Sequence, residues 1–295
     1  MASKREQYLG PYRLITTIAT GPKTEVWEAA HDALRLRVAI KRLRPQVAGG
    51  YAKPPAREEL AALRHEHAVG AGLVHPNVIK TIELGASRDQ TYLVLELFPV
   101  PNMKQWILNG TEPLLPRAKE ILMQATDALL YLHGEGWVHR DVKPDNFLIS
   151  PEGEVKIIDL ALARRVRTGL SRLLSGRGKA QGTPSYMSPE QIRGKPADPK
   201  ADVYSLGCTV YEFLSGRKPY TGETPKELLS KHLSAVTPSL VTANRNITAE
   251  FSHLIRETLA KSPGDRPSLS DFRDMLTAIE LFKTPPKPPE STTQT

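Results

Sequence analysis

Cysteine is almost absent from this chain. Cys208 is the single one in 295 residues, which excludes an internal disulfide framework and fits a reducing compartment. It lies in the apolar run Leu206-Gly207-Cys208-Thr209-Val210, so a buried structural thiol is expected and not a reactive one. Long hydrophobic runs are missing too. No uncharged apolar stretch approaches the roughly 18 residues that a membrane-spanning helix needs. The first residues, Met1-Ala2-Ser3-Lys4-Arg5-Glu6-Gln7, lack the apolar core of a secretory signal, and no internal repeat is visible. Acidic residues are absent from 164–179, where Arg164, Arg165, Arg167, Arg172, Arg177 and Lys179 hold much of the net charge of +8. No aromatics are interleaved with those cations, so the run lacks the stacking platforms of a nucleic-acid binder. What remains is ordinary: 40% hydrophobic and 24% charged residues, as in a soluble globular protein. The length suits two lobes or two small domains. A cytoplasmic protein is the expectation.

Periodicity then divides the chain. Residues 1–11 are polar and expected to be flexible. Tyr12 to Ile18 alternates with β-branched residues, Gly21-Pro22 interrupts, and Val26 to His31 resumes, so the pair predicts a hairpin. Residues 36–43 predict a third strand, and 78–84 and 91–97 two more. The stretch 56–73 is alanine-rich with Glu and Arg and predicts a helix. Pro99 and Pro101 stiffen the crossing that follows. Beyond it, Ile121, Leu122, Ala125, Leu129 and Leu132 share one face of a helix over 116–133. A helix from Asp202 to Leu214 is apolar nearly all round, and helices are predicted over 225–233, 248–261 and 269–282, the last with a Ser268-x-x-Asp271 capping box. Residues 283–295 are Pro-rich and expected to be disordered.

The most informative stretch is His139-Arg140-Asp141-Val142-Lys143-Pro144-Asp145-Asn146. One carboxylate stands among cations, with an amide five residues on. Pro144 disfavours helix in the residue before it, so a fixed loop is expected and not a helical turn. Two short apolar runs around Pro151-Glu152-Gly153 then predict a hairpin that ends in Asp159. Hard oxygen donors on adjacent short strands suit Mg²⁺, which usually takes one or two carboxylates and completes its shell on phosphates. A lysine in the apolar strand Val38-Ala39-Ile40-Lys41 is costly unless paired or used.

These residues resemble the eukaryotic-type protein kinases, and the wording Met187-Ser188-Pro189-Glu190-Gln191, Asp202-Val203-Tyr204-Ser205-Leu206-Gly207 and Asp265-Arg266-Pro267 is similar to that of bacterial eukaryotic-like Ser/Thr kinases. The resemblance covers about residues 12–282. It implies an α+β, bilobal kinase-like fold: a small N-terminal antiparallel sheet lobe with one main helix over 12–98, and a larger, mainly helical lobe over 99–282. It implies ATP and Mg²⁺ as cofactors and proteins as substrates. Lys41 would hold the α- and β-phosphates, oriented by a helix glutamate. Glu58, Glu59 and Glu66 are candidates, and the family's spacing before His75-Pro76-Asn77 selects Glu66. Asp141 would take the acceptor proton, Lys143 would offset charge on the transferred group, and Asn146 and Asp159 would bind the metal. Ile18, Gly21, Val26, Ala39, Leu95, Glu96, Phe98 and Leu148 would line the nucleotide site. Thr183 would contact the catalytic loop, Arg266 would pair with Glu190, and Asp202 would act as a helix N-cap, a brace for the loop backbone, or both. Phosphate on Thr168, Ser171 or Ser175 would order the basic segment.

The chain also departs from the family pattern. Only Gly21 is a glycine in the expected glycine-rich loop, with Ala19 and Thr24 at the other two places. Gly70 stands where an apolar side chain usually packs, which predicts a loosely tethered helix that Gly70→Leu would secure. Asp159-Leu160-Ala161 replaces Asp-Phe-Gly. These departures keep open an alternative, a weakly active or inactive pseudokinase scaffold.

Overall fold

The computed structural model describes residues 7–44, 46–48, 51–53, 55–87, 90–166, 181–196 and 198–287. Thr168, Ser171, Ser175 and most of the basic run therefore lie outside the described residues, as do residues 288–295 of the tail. The chain is α+β and divides into two compact units, Met1–Pro99 with Asp159–Ala161, and Val100–Ile158 with Leu162–Thr295.

The first unit is built on strands β1 (Tyr8–Leu9), β2 (Tyr12–Thr20), β3 (Thr24–His31), β4 (Leu36–Leu43), the short pair β5 (Gln46–Ala48) and β6 (Tyr51–Lys53), helix α1 (Arg57–Gly70), and strands β7 (Thr81–Ser87) and β8 (Gln90–Glu96). Six of the strands form one antiparallel sheet in the order β1-β2-β3-β4-β8-β7. Alternation sorts its side chains to two faces. Leu9, Tyr12, Leu14, Ala29, Val38, Ile40, Tyr92 and Val94 form a core on one side. Ala39, Leu93 and Leu95 lie on the other, against Leu63 of α1. Residues 7–11 are thus not loose, because Leu9 is buried in the first core and Leu14 N–H bonds the Gln7 carbonyl at 2.9 Å.

The helices expected over 248–261 and 269–282 end at Thr258 and Ala278, and two elements of the first unit also depart from their patterns. Helix α1 stops at Gly70, and Gly72 follows in a turn closed by Leu73 N–H on the Gly70 carbonyl, where glycine gives the helix little support. Strand β7 begins at Thr81 and not at 78, because a turn claims the preceding residues: Val78 N–H bonds the His75 carbonyl at 3.1 Å and Asn77 N–H bonds His75 Nδ1 at 3.1 Å.

The second unit contains α2 (Met103–Asn109), α3 (Ala118–Gly134), β9 (Trp137–Val138), β10 (Phe147–Ile149), β11 (Val155–Ile157), β12 (Arg164–Arg165), α4 (Pro189–Ile192), α5 (Pro199–Ser215), α6 (Pro225–Ser234), α7 (Leu240–Ala243), α8 (Ala249–Thr258) and α9 (Leu269–Ala278). Every residue of α5 from Ala201 to Leu214 is buried, Cys208 among them. This helix begins three residues before Asp202. Pro199 occupies its first turn, and the Asp198 side chain accepts the Lys200 N–H at 2.9 Å, so Asp198 is the cap and Asp202 is not. Helix α9 carries the expected box, with Ser268 Oγ accepting from Asp271 N–H at 3.0 Å and Asp271 Oδ2 accepting from Ser268 N–H at 3.1 Å. The start of the tail is tied down: Lys283 N–H bonds the Asn246 carbonyl at 2.7 Å and Thr284 N–H bonds Asn246 Oδ1 at 3.0 Å.

Candidate active site

Within the first unit, the pleat of β4 turns Lys41 to the same side as Ala39, toward α1. Its side chain is 12% exposed and Glu66 on α1 is 5% exposed. Lys41 Nζ donates to Glu66 Oε2 at 2.7 Å, to Glu66 Oε1 at 3.0 Å and to Asp159 Oδ1 at 3.0 Å. Burial works against the ammonium ion, but the two carboxylates outweigh it and raise the Lys41 pKa. For Glu66 it is burial that raises the pKa, with Lys41 opposing. Of the three glutamates considered, Glu66 alone reaches the lysine. Glu59 serves the start of α1 instead, accepting from Ala56 N–H at 3.2 Å and meeting Lys23 at 3.4 Å. His65 and His67, on either side of Glu66, are half-buried.

In the second unit the octapeptide is held from below by α5. Buried Asp202 accepts His139 N–H on Oδ2 and Arg140 N–H on Oδ1, each at 2.8 Å, and His133 Nε2 lies 2.9 Å from Oδ2. Burial alone would raise the Asp202 pKa; these partners reverse that and lower it. Arg140 sits in the left-handed region at φ 68°, a costly conformation for a residue with a side chain. Asp202 and Gln191, whose Nε2 donates to the Arg140 carbonyl at 2.8 Å, hold it from both ends. A Cβ at Gly182, itself at φ 128°, would come within 3.2 Å of that carbonyl, so glycine permits the close approach.

Asp141 follows this strained residue. Lys143 Nζ donates to its Oδ2 at 2.6 Å, while Thr183 donates to Oδ1 through its backbone N–H at 3.0 Å and its hydroxyl at 2.9 Å. Lys143 also donates to Thr183 Oγ1 at 2.8 Å. Asn146 Nδ2 donates to the Asp141 carbonyl at 2.8 Å. Contrary to the proline argument, Pro144–Asn146 form one turn of 3-10 helix; the proline takes its first position, where a missing N–H costs nothing, and its constraint falls on extended Lys143. His139 is buried, and its Nδ1 accepts the Asp141 N–H at 3.2 Å. Its Nε2 therefore carries the proton and donates to the Ile158 carbonyl at 3.2 Å.

A family model described as the protein kinase domain matches residues 12–277. The chain belongs to the protein kinase family. It is 34% identical to serine/threonine-protein kinase PknA of Mycobacterium tuberculosis over 288 residues, which cover 96% of this chain and 64% of that protein. It is 34% identical to PrkC of Bacillus subtilis over 259 residues, 87% of this chain and 38% of that one. For Pkn1 of Myxococcus xanthus the identity is 32% over 273 residues, with 90% and 38% covered. The chain thus spans less than two thirds of the length of these relatives.

Kinase resemblance singled out a set of nucleotide-lining residues, and the first unit gathers part of it. Val26 packs against the cluster of Ala39, Leu63, Leu93 and Leu95, and β4 pairs Lys41 with Val26 on one side and Ala39 with Leu95 on the other. Ile18 is 45% exposed on β2. Gly21 closes the β2–β3 turn by donating to the Thr24 carbonyl at 2.8 Å, so one glycine suffices for this turn. Glu96 N–H is bonded to the Lys80 carbonyl at 2.9 Å, and Phe98 is half-buried. Leu148 belongs to the second unit, where it pairs with Lys156 in β10–β11 and bridges Asn102.

The donor chemistry for a divalent cation fits a kinase. Asn146 spends its amide N–H groups on Asp141, which leaves the amide oxygen as a hard ligand. Asp159 is 35% exposed and sits at φ 65°; the strain falls on Asp159 itself and not on Ala161, where the family has glycine. Among the described residues no group of three or more His, Cys, Asp or Glu side chains could hold a metal.

Glu190 and Arg266 pair as the resemblance implies, through two bonds of 2.6 and 2.9 Å in a buried setting. Three features were not foreseen. His133 reaches Asp202, Gln191 reaches Arg140, and Lys104 reaches Glu212. The first two involve residues distant in sequence and carry no local signal. For the third, a glutamate inside the otherwise apolar α5 was a signal, because a buried carboxylate needs a partner.

Proposed function

We propose that this chain is a Ser/Thr protein kinase that transfers the γ-phosphoryl group of ATP to serine or threonine hydroxyls of proteins. The observation that carries this is the environment of Asp141, whose carboxylate is oriented by Lys143, Thr183 and Asn146 on a backbone fixed by Asp202. In the proposed reaction the acceptor oxygen forms a bond to the γ-phosphorus, the bond to the bridging oxygen of ADP breaks, and Asp141 receives the hydroxyl proton. Lys143 offsets charge on the moving group, and Lys41, oriented by Glu66, holds the α- and β-phosphates. Asn146 and Asp159 would hold Mg²⁺, which supplies charge neutralisation on the phosphates. Ile18, Gly21, Val26, Ala39, Leu95, Leu148 and the backbone from Glu96 to Phe98 would enclose the nucleotide. Catalysis by these groups is positioning and charge stabilisation. The relatives are named serine/threonine kinases, and none of these findings favours an inactive scaffold. A signalling role fits such relatives, and a reducing cytoplasmic setting fits the lone buried Cys208.

The test is incubation with labelled ATP, Mg²⁺ and a Ser- and Thr-containing protein, beside Asp141→Asn. Incorporation by the wild type alone supports the proposal. Equal background from both would replace it with the scaffold.

A further inference from the structure

One charged cluster in the second unit plays no part in the proposed chemistry. Glu212 projects from buried α5, with its side chain 3% exposed. Each of its carboxylate oxygens is already engaged: Oε1 by the ammonium group of Lys104 on α2, and Oε2 by the Tyr186 hydroxyl at 2.5 Å. Burial, then the bond to Glu212, raises the Tyr186 pKa, so its hydroxyl stays protonated and donating. Lys104 is 26% exposed, so the pair is only partly shielded from solvent.

The cluster lies beside the place where an acceptor must sit. Tyr186 N–H closes a turn on the carbonyl of Thr183, whose hydroxyl and N–H are bonded to Asp141. Asp145, exposed in the catalytic loop, is close enough to act electrostatically on Tyr186. Lys218, just past the end of α5, adds a cation from a second direction, 3.1 Å from Ser185 Oγ and 5.8 Å from the Tyr186 ring centroid. A buried carboxylate joined to Asp141 through Tyr186 and Thr183 would attract a substrate arginine or lysine, because a guanidinium can satisfy both oxygens at once. Here the chain supplies that cation itself.

We propose that Lys104 is a specificity-determining residue: it occupies the Glu212 carboxylate in place of a substrate side chain, so the enzyme takes acceptor peptides without a basic residue at that subsite. The inference rests on the kinase reading above. To displace Lys104, a substrate cation would have to break an existing buried ion pair and gain only an equivalent one. With Lys218 nearby, a basic peptide also meets like charge. Removing Lys104 should therefore create a preference that the native protein lacks.

The experiment is a peptide library degenerate around a central Ser or Thr, with Arg, Asp or Ala fixed at each flanking position in turn, phosphorylated by wild type and variants. Lys104→Met should gain a preference for Arg at one position of about tenfold, the size of one charge-assisted contact. Lys104→Arg keeps the pair and should match the wild type. The double variant Lys104→Met with Glu212→Gln should show no gain, which ties the effect to the carboxylate. If Lys104→Met melts too low to assay, Lys104→Gln retains a donor without the charge and should gain in the same direction. A wild type that already selects Arg at one position, or a Lys104→Met profile unchanged from it, would overturn the proposal and leave the kinase reading intact. Library incorporation no higher than that of Asp141→Asn would remove the kinase reading, and this inference with it.

Discussion

Asp141 and Lys41 are both lined by carboxylate–ammonium contacts, yet replacing their neighbours should have different consequences. Asp141→Asn keeps one acceptor oxygen, enough for Thr183, but turns the oxygen that faces Lys143 into an amide donor and can no longer take a proton, so turnover should fall by about 10²- to 10⁴-fold while nucleotide affinity holds. Isothermal titration with ATP beside the kinase assay checks both halves, and a parallel loss of affinity would contradict the assigned role. Glu66→Gln leaves buried Lys41 with Asp159 as its remaining carboxylate partner. Activity should drop strongly with it, while Glu58→Gln and Glu59→Gln should change little, because Glu58 is exposed and Glu59 caps the helix start. A comparison of kcat for the three variants decides. The lysine was legible from sequence because a cation in an apolar strand demands a reason. Its partner was legible only through the family's spacing, since Glu58 and Glu59 offer the same chemistry on the same helix.

Helix α1 illustrates how an element can be misjudged from residue size alone. Gly70 suggests a missing packing contact, and filling it with leucine suggests a gain. The structure reverses that expectation. A Cβ at Gly70 would stand 2.1 Å from Thr81 Oγ1, 3.0 Å from Thr81 Cβ and 3.6 Å from Leu160 Cδ1. Buried Thr81 of β7 already fills the notch, so the glycine lets helix and strand approach closely, one helical turn from Glu66. Gly70→Ala should push α1 away and reduce kcat, with a stability loss of about 1–3 kcal/mol for overpacking. Gly70→Leu should be worse. Thr81→Ala removes the nearest clashing atom and should restore part of the activity of Gly70→Ala. Activity in the double variant no better than in the single would show that the notch does not position the helix. The helix existed in the sequence as an alanine-rich stretch. Its close seat did not, because the atom that fills the gap comes from a strand eleven residues away.

At the scale of the molecule, stability should fall on mild acidification. His232 is fully buried in α6, with its Nδ1 2.9 Å from the Tyr204 hydroxyl and its Nε2 without a partner. Tyr220 packs edge-on against it. Burial, then the charge of Lys261, lowers its pKa to about 4 from an ordinary 6.5. A depressed folded-state value means the unfolded chain binds the proton first. The stabilisation is fully present above pH 6.5 and is lost as pH falls toward 4, at about 1.4 kcal/mol per unit, or about 3 kcal/mol in all. Melting temperature measured from pH 7 to pH 4 should decline, and His232→Gln should flatten that decline; an unchanged slope would assign the acid sensitivity elsewhere. Asp202 acts further down: its lowered pKa adds stability that is present above the ordinary carboxylate value and is lost as pH falls through its folded-state value.

Sequence by itself determined the family, the α+β class, the strand lysine, the loop octapeptide over 139–146 and the capping of the last helix. Each of these is written in local pattern: period, proline and glycine placement, or residue types at short fixed spacing. Tertiary structure decided the partners. Whether Asp202 caps its helix or braces the loop depended on where α5 begins, and Pro199 with Asp198 set that. Whether Glu212 faces substrate or its own chain depended on Lys104, 108 residues away. Whether Gly70 is a gap or a seat depended on Thr81. Buried polar groups and tight contacts must be satisfied by whatever the fold brings beside them, and a linear pattern states the need without naming the neighbour.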